Sequence, residues 1–540
     1  MHADPEALFA RSNNLYTGRG DLLSMWQEIA LNFYPERADF TTQQSVGADF
    51  ASHLMNSTPP LIRRKMTDTI GALLRADKWF EISTTREDQL QNDSKKWLEK
   101  QTKVQYRAMY DRKANFSKVA KAGDADIGTF GQNVISIDLA SSADALIYKG
   151  FHLRDCVWCE DESGKVDEVH VKWKPTAIQL NGMFPDSVSD QVKEMVQNGG
   201  KKAYTAIECL HIVMPWANYE PNLPNPLPNM PFVSIHMESD TKQLLEFKQV
   251  RRNRYNVARW STVSGYQYAH SPATMVALPD ARMIQSMSLV LLDAGEKGVQ
   301  PPMIGAHDAF RSDLNFYSGG FTSVDMDGLR SVKDAITSIP MDKTGLPMGF
   351  EMLEGVKRGM ADLMFLNDLK LPSLDGSEKT AYEFQKRVQE AARNALPLLE
   401  PIESDYNGGI CEKTFGVLLD NGFFGRQEDI PEQLLGQDID FQFKSPFRTA
   451  LDQAGGAKFI EAMQIIEAGA QLDPTVTNQI DVHEATRESL EAIIPASWMR
   501  DEKEVAAMVQ QDNERQQQQQ AMEQAGQLAQ MAGALPEGVA

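Results

Sequence analysis

Four residues have the types and spacing to hold a metal. Cys156-Val157-Trp158-Cys159 is a C-x-x-C, and Cys209-Leu210-His211 supplies a further thiol and an imidazole. Together they would make a tetrahedral zinc set, and zinc with a bound water can run metal-assisted hydrolysis. The surrounding alternation argues against it. Phe151, Leu153, Val157 and Cys159 fall on one side of an expected strand and Cys156 on the other, so the two thiols could share one metal only across a bulge. Buried strand cysteines are the competing reading. The acidic groups Glu160-Asp161-Glu162 and Asp325 with Asp327 could hold magnesium. They sit in turn-like sequence without basic or histidine companions, and read as solvated turns. No G-x-x-x-x-G-K-[ST], H-E-x-x-H or G-x-S-x-G occurs. No catalytic residue, metal or cofactor is therefore assigned. A metal-dependent hydrolase or nuclease built on Cys156, Cys159, Cys209 and His211 stands as the alternative.

The basic residues are the second source of chemistry. Arg251, Arg252, Arg254 and Arg259 form the densest cluster. They could touch phosphate or form ion pairs between subunits, and the excess of carboxylates favours ion pairs. The net charge is −21, which argues against a protein that grips nucleic acid over a broad basic face. It is compatible with a channel that lets nucleic acid slide, and it also suffices simply to keep a large protein soluble. Gly18-Arg19-Gly20-Asp21 reads as a turn followed by a helix cap, with Asp21 as the cap.

The elements that must position these groups fall into blocks. Residues 1 to about 130 read as helical. Asp4-Pro5-Glu6 is a helix start with proline at the first helical position, and Leu22, Trp26, Ile29, Ala30 and Phe33 make one apolar face stopped by Pro35. Residues 130 to about 275 read as strand-rich, with a hairpin of Phe151–Glu160 and Val166–Trp173 about a turn at Asp161–Gly164. Pro221–Pro231 is a proline-rich surface loop.

A long helix is expected from Ala281, with Asp280 as its N-cap and Gly298 and Pro301-Pro302 at its end. Met283, Ile284, Met287, Val290, Leu291 and Ala294 share one of its faces. A compact insert follows, rich in Phe310, Phe316, Tyr317 and Phe321. These aromatics suit either a partner surface or the insert's own core. A second helix from about Met348 to Leu366 carries Leu353, Val356, Met360, Leu363 and Met364 on one face, with Lys357 and Arg358 mostly elsewhere. Leu369-Lys370-Leu371-Pro372-Ser373-Leu374-Asp375-Gly376 breaks the pattern. Thr380 and Glu383 have capping-box spacing; the helix they open should break at Pro397, and the next should end near Asn421-Gly422. Ile439, Phe441 and Phe443 alternate as a strand. From Asp501 the chain is polar, helical and glutamine-rich. No apolar run approaches the ~20 residues of a membrane span, the N-terminus lacks a secretory pattern, and four cysteines suit a reducing compartment.

Scattered stretches in this order resemble the portal, or head-to-tail connector, proteins of podovirus-type bacteriophages. They are Trp26-Gln27-Glu28-Ile29-Ala30, Tyr34-Pro35-Glu36-Arg37, Lys78-Trp79-Phe80, Gly164-Lys165-Val166-Asp167-Glu168-Val169 and Arg259-Trp260. Ala277-Leu278-Pro279-Asp280, Gln300-Pro301-Pro302 and Lys379-Thr380-Ala381-Tyr382-Glu383-Phe384 continue the series.

The resemblance implies an α+β, mainly helical subunit of a closed ring, a dodecamer in that family. Residues 1–280 and 380–440 would be the wing, 281–298 and 346–366 the stem helices, and 299–345 the clip. Residues 367–379 would be the tunnel loop, 441–500 the crown, and 501–540 a barrel helix and tail. Leu369, Lys370, Leu371, Pro372, Ser373 and Leu374 would then lie near DNA, and Lys357 and Arg358 would be possible lumen charges. Phe310, Phe316, Tyr317 and Phe321 would be candidates for docking partners at the clip. Met508, Val509, Met522, Leu528 and Met531 would pack barrel helices together. The implied partners are other copies of the chain, double-stranded DNA read without sequence preference, the terminase large subunit, capsid and scaffolding proteins, and tail adaptors, with no membrane. The implied place is the unique capsid vertex of the virion, after assembly in the host cytoplasm. Another head–tail structural adaptor is the remaining alternative, although adaptors are much shorter.

Overall fold

The computed structural model describes residues 4–448 except 46, 86–91, 141–144, 302, 306–335, 339–344, 371–380 and 447, with isolated positions beyond 448. The fold is α+β. Helix α1 (Pro5–Thr17) opens as expected: the Asp4 carboxylate accepts the Glu6 amide at 3.0 Å and Pro5 stands first. Helix α2 (Gly20–Phe33) begins one residue before Asp21, so Asp21 lies in the first turn instead of capping it. Trp26, Ile29, Ala30 and Phe33 are buried as their spacing requires, and Pro35 stops the helix.

Helix α3 (Thr58–Leu74), strand β1 (Phe80–Thr84), and helices α4 (Asn92–Met109) and α5 (Phe116–Phe130) complete the helical half. Gly131 ends α5 at φ +79°, and a Cβ there would strike the His270 backbone, so both conformation and space demand glycine.

Strand β2 (Gln132–Leu139) pairs antiparallel with β3 (Leu146–Gly150). A five-stranded antiparallel meander then begins with β4 (Cys156–Glu160) and β5 (Val166–Trp173). The first arm of the expected hairpin is shorter than 151–160, because Leu153–Asp155 forms a 3-10 turn. Its carbonyls at 153 and 154, with that of Cys156, accept the buried Arg19 guanidinium. Helices α6 (Ala177–Met183), α7 (Asp190–Asn198) and α8 (Gly200–Ala203) precede β6 (Cys209–Pro215); α9 (Trp216–Tyr219) and the proline loop lead to β7 (Phe232–Glu238) and β8 (Leu244–Val250). Strand β9 (Tyr255–Arg259) returns to pair with β2.

Helix α10 (Thr274–Val299) starts seven residues before Ala281. Asp280 is not its N-cap, and Pro279 lies inside it. The start is fixed locally and by the end of α5: Ser271 Oγ accepts the Thr274 amide, and Thr274 Oγ1 donates to the Thr129 carbonyl. Strands β10 (Met303–Gly305) and β11 (Ile336–Ser338) pair antiparallel at the base of the insert. Helix α11 (Gly345–Leu363) follows, then α12 (Ala381–Ile402). Helix α12 runs through Pro397 and Pro401 and does not break. Its Ala392, Ala395, Leu399 and Ile402 are buried on one face, and the Leu398 carbonyl accepts Trp260 Nε1 at 3.0 Å. A π-helical turn (Glu403–Gly408) joins it to α13 (Gly409–Asp420), which ends at Asn421 with Gly422 at φ +73°. Strand β12 (Ile439–Phe443) pairs antiparallel with β1, Phe80 opposite Phe443. The boundary expected between 440 and 441 thus falls inside a strand bonded to the N-terminal half.

One large core joins α2–α5, the three-stranded sheet, the inner face of the meander and α10–α13. A smaller one covers the outer face, where Leu8 of α1 meets Leu210, Ile212, Met214, Val233, Ile235 and Met237.

Candidate functional site

The four candidate metal ligands do not converge. Cys156 opposes Val171 and faces the large core, while Cys159 opposes Glu168 on the other face of the sheet. Cys209 belongs to a third cluster with Ala177, Leu180 and Val192. His211 has both ring nitrogens engaged, Nδ1 with the Tyr255 hydroxyl and Nε2 with Ser234 Oγ at 2.9 Å. Burial pushes the Cys156 thiol far above its ordinary value and Cys159 up to about 11, so neither thiol ionises readily. Among the described residues no group of three or more His, Cys, Asp or Glu is placed to hold a metal.

A different constellation, which spacing did not reveal, lies beneath α1. Ser12 Oγ is 2.5 Å from His170 Nδ1, and His170 Nε2 is 2.8 Å from Glu168 Oε1. Arg11 grips Glu168 with Nε at 2.8 Å and Nη2 at 2.5 Å. Burial acts to raise the Glu168 pKa, but the His170 hydrogen bond and the Arg11 guanidinium outweigh it and hold the carboxyl below its ordinary value. A serine, a histidine and a carboxylate in this order invite comparison with a nucleophile triad. Ser12, His170 and Glu168 are each at most 2% exposed, so no substrate atom reaches the hydroxyl. The cluster seats α1 on the sheet. Its signal in sequence is only the alternation Glu168, His170 on β5.

The arginine cluster makes ion pairs within the chain. Arg251 meets Asp420 at 2.6 Å, Arg254 meets Asp138 at 2.9 Å, and Arg259 meets Glu160. Those carboxylates lie on α13, β2 and β4, far away in sequence.

Helices α10 and α11 form the most distinctive surface. They pack side by side, Leu291 against Gly349, with Ile284, Leu353 and Met360 buried. Their other faces are apolar and open. Met283, Leu289, Val290, Leu292 and Val299 on α10, and Met348, Phe350 and Met352 on α11, are all 45% exposed or more. Helix α10 is in fact long and apolar enough to cross a membrane by composition, with mean hydropathy 1.3 over its best 18-residue window. Reading only uninterrupted runs missed this, because Asp280 and Arg282 punctuate the helix.

Leu369 is buried after α11, whereas Lys370 is exposed, its Nζ 3.3 Å from Asn367 Oδ1. Lys357 Nζ reaches Glu354 at 2.9 Å, and Arg358 Nε donates to the Glu354 carbonyl at 3.3 Å. Leu371, Pro372, Ser373, Leu374, the aromatics Phe310, Phe316, Tyr317 and Phe321, and Met522, Leu528 and Met531 lie outside the described residues. Met508 and Val509 are exposed.

These features define a large α+β chain organised around a helix pair, with no converged catalytic set among its described residues. The family described as bacteriophage head to tail connecting protein matches residues 6–499. The chain belongs to that family. No curated protein matches it. The family is structural, and membership makes this chain a virion component of the head–tail junction, within an oligomeric assembly.

Proposed function

We propose that this chain is the portal subunit of a podovirus-type phage. Copies close into a ring, a dodecamer, at one capsid vertex. The terminase large subunit drives double-stranded DNA through its channel during packaging; the genome leaves by the same route, and tail adaptors dock on the ring afterwards. Capsid and scaffolding proteins surround it during assembly in the host cytoplasm. In this reading α10 and α11 are the stem, residues 299–345 the clip, 367–379 the tunnel loop, and 501–540 the barrel. Lys370 faces DNA. The chain catalyses no chemical step and contacts no membrane.

One observation supports the ring: the α10–α11 pair carries an apolar surface that the described residues leave open. A surface of this kind marks a protein interface, and repetition of one head-to-tail contact closes a ring. In a ring the open face of each pair meets the next copy, which removes Leu289, Val290, Leu292 and Phe350 from water. The experiment is negative-stain electron microscopy of the purified chain with mass measurement on the same sample. Channelled rings of about twelve copies, as the resemblance implies, are expected; a stable monomer of 60.4 kDa at all salt concentrations, including with scaffolding protein added, would overturn the proposal.

A further inference from the structure

The turn between β8 and β9 meets α13 and β2 around a cavity of about 150 Å³. Arg251, Arg252, Arg254 and Lys413 line it, with only Asp138 and Asp420 as counter-charges. Two positive charges are left over, in a chain whose net charge is −21. The excess resides in two particular groups. Arg251 and Arg254 each hold a carboxylate at close range, at 2.6 Å and 2.9 Å. Arg252 is held more loosely: its Nε is 3.5 Å from Asp420 Oδ2, on the carboxylate that Arg251 also uses, and donates no hydrogen bond to a described residue, while its side chain as a whole is 39% exposed. Its guanidinium lies so close over Gly416 that a methyl group there would strike it. Lys413 reaches only a neutral acceptor, the Asn253 carbonyl at 3.3 Å. Burial acts most strongly against its charged form; the neighbouring Glu412 opposes this, and the nearness of Arg252 adds to it.

Half-buried cations that share too few counter-charges are costly and are normally compensated. Three elements converge here to hold them in place with donors still free. Lys413 has three N–H donors and one described acceptor, and Arg252 offers the planar fork that suits oxyanions. Since a water occupies about 30 Å³ in the liquid, the cavity admits one small tetrahedral anion with attendant water. We propose that this pocket is a phosphate-binding site, one per chain, with Arg252 and Lys413 as its principal ligands and Arg251 at its mouth. The phosphate group can be free inorganic phosphate or part of a nucleic-acid backbone, and the two share this chemistry.

The test is calorimetric titration of the full chain with sodium phosphate, against sodium chloride at matched ionic strength, on the wild type and on Lys413→Met and Arg251→Met. Saturable binding near one phosphate per chain is expected, weakened at least tenfold by Lys413→Met and measurably by Arg251→Met. Thermal melts supply a readout that a structural role would not give. Lys413→Met should melt no lower than wild type without phosphate, because it removes a cation whose charge burial and Arg252 both disfavour, yet it should lose the rise that phosphate produces. A short DNA duplex that displaces the phosphate assigns the site to backbone phosphate, and phosphate binding without displacement assigns it to the free anion. The proposal is overturned by absence of saturable binding, by unchanged affinity in both variants, or by binding to monomer that vanishes in the assembled ring. The last result would mean that a neighbouring copy's carboxylate fills the pocket.

Discussion

His211 and His236 oppose each other on β6 and β7 and stack at 3.9 Å between ring centroids, with planes 2° apart. Burial, each other's proximity and Arg254 hold His211 well below its ordinary pKa; burial, Arg254 and Lys248 bring His236 down to about 3. Both are therefore neutral in the fold at pH 7. The unfolded chain takes up protons at these positions as pH falls through ~6.5, while the folded chain does not. Stability must fall with pH from ~6.5 toward 3, by at most ~1.4 kcal/mol per unit for each histidine. Denaturant midpoints measured between pH 7.5 and 5 check this. Replacement of His236 by Gln should flatten the slope, and an unaltered slope would contradict the account. At this scale the sequence was least informative. It offered His211 as a metal ligand because a cysteine stood two positions away. The true partners, Ser234, His236 and Tyr255, come from other strands, and only strand register brings them together.

Elements were more legible, because periodicity is a local property. Helices α1 and α2, the turn at Asp161–Gly164, and the strand at 439–443 form where patterning places them, α2 starting one residue early. The boundaries misjudged at α10 and α12 share one cause. Pro279-Asp280, Pro397 and Pro401 are breakers by local rules, yet α10 and α12 run through them, because the buried faces around Ile284, Leu399 and Ile402 are worth more than the hydrogen bonds lost. Such compensation needs a buried face already in place, and it fails where a proline falls on that face itself. Met360 is fully buried on α11. Met360→Pro removes a mid-helix hydrogen bond and the core side chain together, at a cost of ~3 kcal/mol or more. Rings should be lost, as judged by electron microscopy, while Met360→Leu, nearly volume-conserving, should keep them. Normal rings from the proline variant would separate α11 from the assembly.

For the whole molecule the charge balance becomes the argument. In the proposed ring a chain of −21, repeated, would make a strongly negative body, and a negative lumen would repel phosphates, which suits a conduit that must not hold its cargo. A single exposed lysine per copy then matters more than it would in a neutral protein, because repetition turns it into a band. Lys370 meets this description: it is exposed, lightly tethered to Asn367, and stands where the chain leaves the buried Leu369 behind α11. In the proposed portal its contacts would be with the backbone of DNA, and so independent of sequence. Lys370→Glu changes no buried contact, and the ring should assemble with unchanged mass and melting temperature. What changes is the band, from attractive to repulsive at every copy. DNA packaged per head should fall several-fold, and the defect should shrink at higher salt as exposed charges are screened. Assembly and packaging are measured on the same particles, so the outcome is unambiguous. A variant that packages like wild type at low salt would remove Lys370 from the channel, and one that fails to form rings would make it an interface residue instead.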